Sequence, residues 1–216
     1  MKGSGMKMQI NFIPSGHPNR PGTKLESVKA IVMHYTANEH PQATALVNAR
    51  YFARDYKYKD NVIFETDGVT PFRYGSTQVI CDADSVVLAL PLHEAAWAVG
   101  DKSNNGGYMP VAHAAFKQRQ NFNTLSVEIC NNDPARNWDA AVATAKEWIV
   151  DYCKQARRRV DVQGSVEPQR YNNVEVLPDE ILLLRHYDIT GKICPKPFVE
   201  NEAEWENFVR EISEAI

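Results

Sequence analysis

Two apolar runs, each closed by a histidine, limit how this chain can fold. Val28 to Met33 is a nearly continuous apolar stretch followed by His34, and Ile181-Leu182-Leu183-Leu184 leads through Arg185 to His186. A short run without polar alternation suits a strand covered on both faces. Helical spacing appears elsewhere. Ala43 to Arg54 is rich in helix formers, with Pro41 placed for a first turn. Trp138, Ala141, Val142, Ala145, Trp148, Ile149 and Tyr152 form one apolar stripe, which predicts a helix over 138–158 started by Asn137 or by Asn132-Asp133. Trp205, Phe208, Val209 and Ile212 predict a closing helix over 201–216. Asn123 to Cys130 reads as a strand, with Ser126, Glu128 and Cys130 on one face and Leu125, Val127 and Ile129 on the other. Ser76 to Cys81 and Ser85 to Leu90 read as a hairpin around Asp82-Ala83-Asp84. Strands alternating with helices imply an α/β fold, a single domain with a central mixed β-sheet flanked by helices. The 216 residues suffice for one such domain with a real core.

The two histidines carry chemistry as well as topology. His186, Lys192 and Cys194 fall within nine residues, and Cys194 lies between a Thr-Gly turn and Pro195-Lys196-Pro197, which stiffens its loop. Imidazole and thiolate both ligate a borderline-soft ion such as zinc. Two ligands eight residues apart cannot complete a site, and His34, at the end of the other apolar run, is the candidate third. Three protein ligands leave a fourth position open, as in catalytic rather than structural zinc sites. Glu128 interrupts an apolar strand, and burying a carboxylate without a partner is costly. It therefore belongs either at an exposed edge or ion pair, or facing the metal. Two other readings use the same residues. A cysteine peptidase would pair Cys194 with His186 or His34, but Pro195 and the lack of a helix start after Cys194 speak against an activated thiol. A structural zinc site would draw a fourth ligand from His17, His40, His93 or His113.

Composition excludes several classes. A net charge of -3 offers no footprint for nucleic acid, and 44% hydrophobic with 24% charged residues is ordinary for a globular chain. No apolar run approaches the length of a membrane span. Residues 1–10 lack the apolar core of a signal peptide and are set aside as an extension, with Gly3-Ser4-Gly5 typical of an artificial linker; the domain is taken as 11–216. Cys81, Cys130 and Cys153 show no disulfide spacing and read as core, which suits synthesis in a reducing cytoplasm. Asn11 to Thr23 reads as an extended arm, Asp101 to Pro110 as a Gly/Asn loop, Arg157-Arg158-Arg159 as a solvated helix end and Gly164 to Pro178 as a polar connector.

His34-Tyr35-Thr36-Ala37, Leu125-Ser126-Val127-Glu128-Ile129-Cys130, and His186 with Lys192 and Cys194 together resemble the zinc-dependent N-acetylmuramoyl-L-alanine amidases, the family that includes peptidoglycan recognition proteins. The resemblance runs from about Phe12 to about Phe198, and Asn11-Phe12-Ile13-Pro14 with Asn19-Arg20-Pro21-Gly22 is similar to the endolysin and autolysin branch. It implies a peptidoglycan-recognition/amidase-like fold, a Zn²⁺ cofactor on His34, His186 and Cys194, and peptidoglycan as the partner. It also implies Glu128 as the proton-transferring residue and Lys192 as the residue facing the oxyanion. Ser76-Thr77-Gln78-Val79 departs from the family pattern, with Gln78 where a His or Tyr often stands, so Gln78 is expected to hydrogen-bond substrate without moving a proton. Ala98 stands where the family's Trp-His-Ala-Gly segment carries its His, and Trp97 is expected in the core or groove wall. Residues 55–74 look like an insertion, either a packed surface loop or a wall of the substrate groove. Action on the cell wall without a signal peptide implies release by another route. Some relatives bind peptidoglycan without cutting it, but those commonly lack the cysteine.

Overall fold

In the computed structural model, the described residues are 6–100, 109–110, 116, 119–132, 134–163 and 181–216. Strand β1 spans Lys7–Ile10, β2 Ala30–Tyr35, β3 Lys57–Lys59, β4 Val62–Phe64, β5 Val79–Cys81, β6 Ser85–Leu88, β7 Thr124–Ile129 and β8 Leu182–Arg185. Helix α1 spans Ala45–Phe52, α2 Pro134–Gln163, α3 His186–Thr190, α4 Lys196–Glu200 and α5 Glu202–Ala215, with a 3₁₀ turn at Gln120–Phe122. Six strands form a mixed sheet in the order β1-β6-β5-β7-β2-β8, while β3 and β4 form a separate hairpin. Only β5 and β6 pair antiparallel within the large sheet; the other four pairings are parallel.

The apolar run near residue 30 becomes β2, paired with β7 on one side and β8 on the other. Ala30, Ile31, Val32 and Met33 are all buried, as a strand covered on both faces requires. On one face Ile31, Met33, Leu125, Val127 and Ile129 meet Trp138, Trp148 and Ile149 of α2 and Trp205, Phe208 and Ile212 of α5. On the other, Ala30 and Val32 pack with Ile189 of α3, and Ile80, Val87 and Cys130 pack with Ala45 and Ala49 of α1. Burying each large side chain contributes roughly 1.5–3 kcal/mol, so the α2/α5 face carries much of the stability. No helix among the described residues is long and apolar enough to cross a membrane.

Several boundaries differ from those expected. Thr44, not Pro41, starts α1, because its side chain accepts the Val47 N–H. Helix α2 begins at Pro134, so Asn137 lies inside it and does not cap it. It also runs past Arg158. Asn201 caps α5 by accepting the Glu204 N–H. The second apolar run ends as a strand at Arg185, and His186 opens α3 instead of closing β8. Within the stretch set aside as an extension, Lys7–Ile10 forms the edge strand beside β6. Most of the 101–110 loop, the side chains of Arg157-Arg158-Arg159 and all of the 164–178 connector lie outside the described residues.

Gln78 is a strut, not a substrate contact. It is fully buried, its Oε1 accepts the Ser126 N–H at 2.8 Å, and its Nε2 donates to the Glu94 carbonyl at 2.8 Å. Both ends of the amide are thus spent tying β7 to the segment after β6. Gln78→Leu keeps the volume and strands both backbone groups, at about 1–3 kcal/mol each. Urea denaturation should show a loss of about 2–6 kcal/mol; an unchanged midpoint would remove Gln78 from this role.

The 55–74 segment is packed, not loose. Arg54 grips both Glu65 oxygens, at 3.0 and 2.8 Å, and Glu65 also accepts the Arg73 N–H. The Arg54 guanidinium, then the Arg73 amide, hold the Glu65 carboxyl down to about 2 from its ordinary 4.5. A carboxyl lowered on folding stabilises the fold above its unfolded value, and that contribution fades as pH falls from 4.5 towards 2. The melting-temperature advantage of wild type over Glu65→Gln is therefore expected to be larger at pH 7 than at pH 3. A difference that does not change between the two would argue against this linkage.

Candidate metal centre and its cavity

In-register parallel pairing of β2 with β7 sets His34 directly beside Glu128. Alternation along β2 puts His34 on the face of Ala30 and Val32, away from the α2/α5 core. The site therefore lies at the C-terminal ends of parallel strands, where open α/β sheets commonly bind ligands. His186 arrives from β8 as the first residue of α3. Its neighbour Arg185 anchors that corner: the guanidinium bonds Asp188, the Glu202 carboxylate at 2.7 Å and the Phe198 carbonyl at 3.0 Å. Gly191 ends α3 in the left-handed region at φ 76°, which turns the chain sharply. Tyr187 N–H then donates to the Cys194 carbonyl at 2.9 Å, folding the cysteine loop back on α3.

These three routes bring one ligand atom each from His34, His186 and Cys194 within 4.8 Å of one another. The imidazole planes of His34 and His186 stand at 64° with centroids 4.8 Å apart. His34 Nδ1 lies 3.8 Å from Cys194 Sγ. An N–S edge of a tetrahedron built on zinc bond lengths is about 3.6 Å, so the spacing fits that ion. Burial, with His186 and Lys192 adding, holds the His34 pKa well below its ordinary value and keeps the imidazole neutral, the ligating form. His34 Nε2 is buried without a hydrogen-bond partner among the described residues. The donor set of two imidazoles and a thiol fits zinc.

Glu128 is half-buried, and its Oε2 is sealed from solvent without a hydrogen bond among the described residues. Desolvation pushes its pKa up to about 7, against a downward pull from Lys192. Burial, with Glu128 adding, pushes the Cys194 thiol up to about 12, while the Tyr35 N–H bonded to it acts the other way. A bound dication would lower both values.

The cluster opens into a cavity of about 990 Å³. Glu128, Lys192 and Trp97 line it with the three candidate ligands, as do Tyr51, Tyr74 and His17. Every expected site residue except Gln78 therefore reaches one space. Contrary to expectation, a helix does begin near Cys194, since α4 starts at Lys196. The thiol nonetheless is 4% exposed with a raised pKa, the opposite of an activated nucleophile. Among the described residues, no fourth His, Cys, Asp or Glu joins the cluster. His17 lines the cavity, but its ring nitrogens engage the Arg54 carbonyl and the Asn19 N–H. His40 and His93 stand outside the cluster, and His113 lies outside the described residues. Tyr74 lines the cavity from the 55–74 stretch, for which a groove wall was one of the two expectations, whereas Tyr51, expected only as part of the apolar surface of α1, also faces this space.

Residues 24–197 match the family described as N-acetylmuramoyl-L-alanine amidase, and the chain belongs to that family. It is 28% identical over 200 residues to N-acetylmuramoyl-L-alanine amidase BlyA of Bacillus subtilis (strain 168), covering 92% of this chain and 44% of BlyA. Against N-acetylmuramoyl-L-alanine amidase CwlL of Bacillus licheniformis the identity is 27%, covering 96% of this chain and 47% of CwlL. The chain thus spans about half the length of these relatives. In structure, the catalytic domain of XlyA superposes with a TM-score of 0.62 at 22% identity, covering 96% of this chain and 99% of that one. PlyL gives a TM-score of 0.59 at 19% identity, covering 96% of each chain. These two likenesses establish the shared fold.

Cys194→Ser is expected to lose bound zinc while keeping the far-ultraviolet dichroism of the folded chain. Elemental analysis after dialysis that still found one zinc per chain would exclude the cysteine as a ligand.

Proposed function

We propose that the chain hydrolyses the amide bond between the lactyl group of N-acetylmuramic acid and L-alanine in peptidoglycan, with a zinc ion held by His34, His186 and Cys194. One observation carries this reading: two imidazoles and a thiol converge at a cavity that Glu128 and Lys192 also line. Membership of the amidase family and the names of the relatives support it. A zinc ion on such a ligand set has a net charge of about +1 and supplies Lewis acidity, lowering the pKa of water towards about 7 and polarising a carbonyl.

The chain's own groups handle position and protons. Strand pairing fixes Glu128 beside His34, so its carboxylate sits where an attacking water would lose its proton. The same carboxyl then returns that proton to the departing amine of L-alanine. Lys192 is exposed at the cavity, and its ammonium suits the negative charge that develops on the carbonyl oxygen. Trp97, half exposed on the wall, offers a flat face to the substrate. Peptidoglycan is the macromolecular partner on this reading.

Mass spectrometry of digested peptidoglycan tests the bond choice. Stem peptides with a new L-alanine amino terminus are expected, suppressed by chelator and restored by zinc; cleavage elsewhere or indifference to chelator would refute the reading. Zinc-loaded Lys192→Ala should retain its metal and lose about 10²–10³-fold in kcat, the scale of one lost oxyanion partner. Unchanged turnover in that variant would take Lys192 out of the mechanism.

A further inference from the structure

The cavity extends well beyond the metal ligands, and one bank of it is aromatic. Tyr51 is 57% exposed, Tyr74 59% and Trp97 36%, and all three line it. Large aromatic groups exposed around one cavity mark a binding surface more strongly than ones scattered over the surface. Their positions are set by buried hydrogen bonds. The fully buried Asn19 donates from Nδ2 to the Phe52 carbonyl at 2.8 Å and accepts the Gly75 N–H on Oδ1 at 2.9 Å. It therefore clamps the residue after Tyr51 to the residue after Tyr74. Ser76 continues the chain of contacts, its Oγ accepting the Trp97 N–H at 2.9 Å and its own N–H donating to the Trp97 carbonyl at 3.2 Å. From behind, the Arg54 guanidinium stacks on Tyr51 at 4.5 Å and on Phe72 at 4.6 Å, and Phe72 meets Tyr74 edge-on at 5.4 Å. Such a surface loses little entropy on binding, because it is already ordered.

Charge identifies the ligand. Lys192 stands in the cavity beside the candidate metal ligands, and the guanidinium groups at and behind the aromatic residues are committed: Arg20, in the lining, to Glu94 and the Ile13 carbonyl, and Arg54 to Glu65 and the Arg73 carbonyl. Carboxylates of a stem peptide gain little from a wall whose lining guanidinium, that of Arg20, is already paired with Glu94. An uncharged pyranose ring, with an apolar C–H face and hydroxyls at its rim, suits flat aromatic faces edged by phenol hydroxyls. We infer that Tyr51, Tyr74 and Trp97 form a preorganised subsite for the sugar rings of the glycan strand next to the muramic acid being processed. The inference deepens the amidase reading and rests on it for the identity of the polymer.

Chitotetraose, an uncharged oligomer of N-acetylglucosamine, is the probe. Calorimetric titration into the zinc-loaded protein is expected to show binding that weakens about tenfold in Tyr74→Ala and in Tyr51→Ala, the equivalent of one lost stacking contact, with Tyr74→Phe close to wild type. Kinetics supply the second arm. On soluble glycan chains carrying stem peptides, Tyr74→Ala should raise KM about tenfold with kcat little changed. On muramoyl-peptide lacking neighbouring sugars, both constants should stay at wild-type values. Absence of chitotetraose binding to wild type, or an equal loss on both substrates, would overturn the subsite. Sugar binding that responds to the tyrosines, without release of stem peptide, would uphold the subsite and refute the amidase reading instead.

Discussion

The parallel register of β2 against β7 and β8 is the constraint on which the site depends. It pairs His34 with Glu128 and Met33 with Arg185, so the next residue beyond β8, His186, emerges level with His34. Slipping β2 by one residue would turn His34 towards the α2/α5 core and expose apolar side chains to the cavity. Register is therefore enforced by the same burial that stabilises the sheet. The geometry of the candidate site needs no separate device in β2; it comes with the packing of Ile31 and Met33 on the opposite face.

The two faces of the sheet have different work to do. The face covered by α2 and α5 is a continuous apolar and aromatic core, with Phe198, Trp205 and Phe208 in mutual ring contact. The opposite face gathers His34, Glu128 and Cys194 in a partly dry space, where a stranded polar group costs about 1–3 kcal/mol. A cation held there would relieve part of that cost, and its binding would then be coupled to folding. Arg185 joins the two regimes. It ties α3, which carries His186, to Glu202 on α5 and stacks over Trp205 at 5.2 Å.

What could be read from the residues alone follows from how local each signal is. β2 was legible because an unbroken apolar run has few other uses, and Glu128 because a charge inside such a strand demands a reason. The ligand trio was legible as residue types, yet its closure needed the sheet order, which no short spacing encodes. β1 was missed because Lys7-Met8-Gln9-Ile10 is an edge strand with one neighbour and three exposed residues. The start of α3 had a signal that went unused: Asp188 follows Arg185 by three residues, and its carboxylate accepts the Arg185 N–H. Gln78 was misassigned because an amide can serve substrate or backbone equally well. Only the direction of its side chain, set by the Ser126 N–H and the Glu94 carbonyl, decides between them.

The aromatic bank illustrates a separation that the sheet makes possible. The candidate site is built on the ends of β2 and β7 and on the corner after β8, whose positions are fixed by core packing. Tyr51 and Tyr74, by contrast, stand on a helix end and on the excursion that leaves the sheet after α1. Asn19, from the arm before β2, is what brings those segments into one surface. Changes in the length or content of residues 55–73 can thus alter what the wall touches while β2 and the corner that follows β8 hold the candidate ligands His34, His186 and Cys194 unchanged. Loops on a rigid scaffold are the usual place for such variation. Here the scaffold extends to the loop itself, because Arg54, just after α1, is bonded to Glu65.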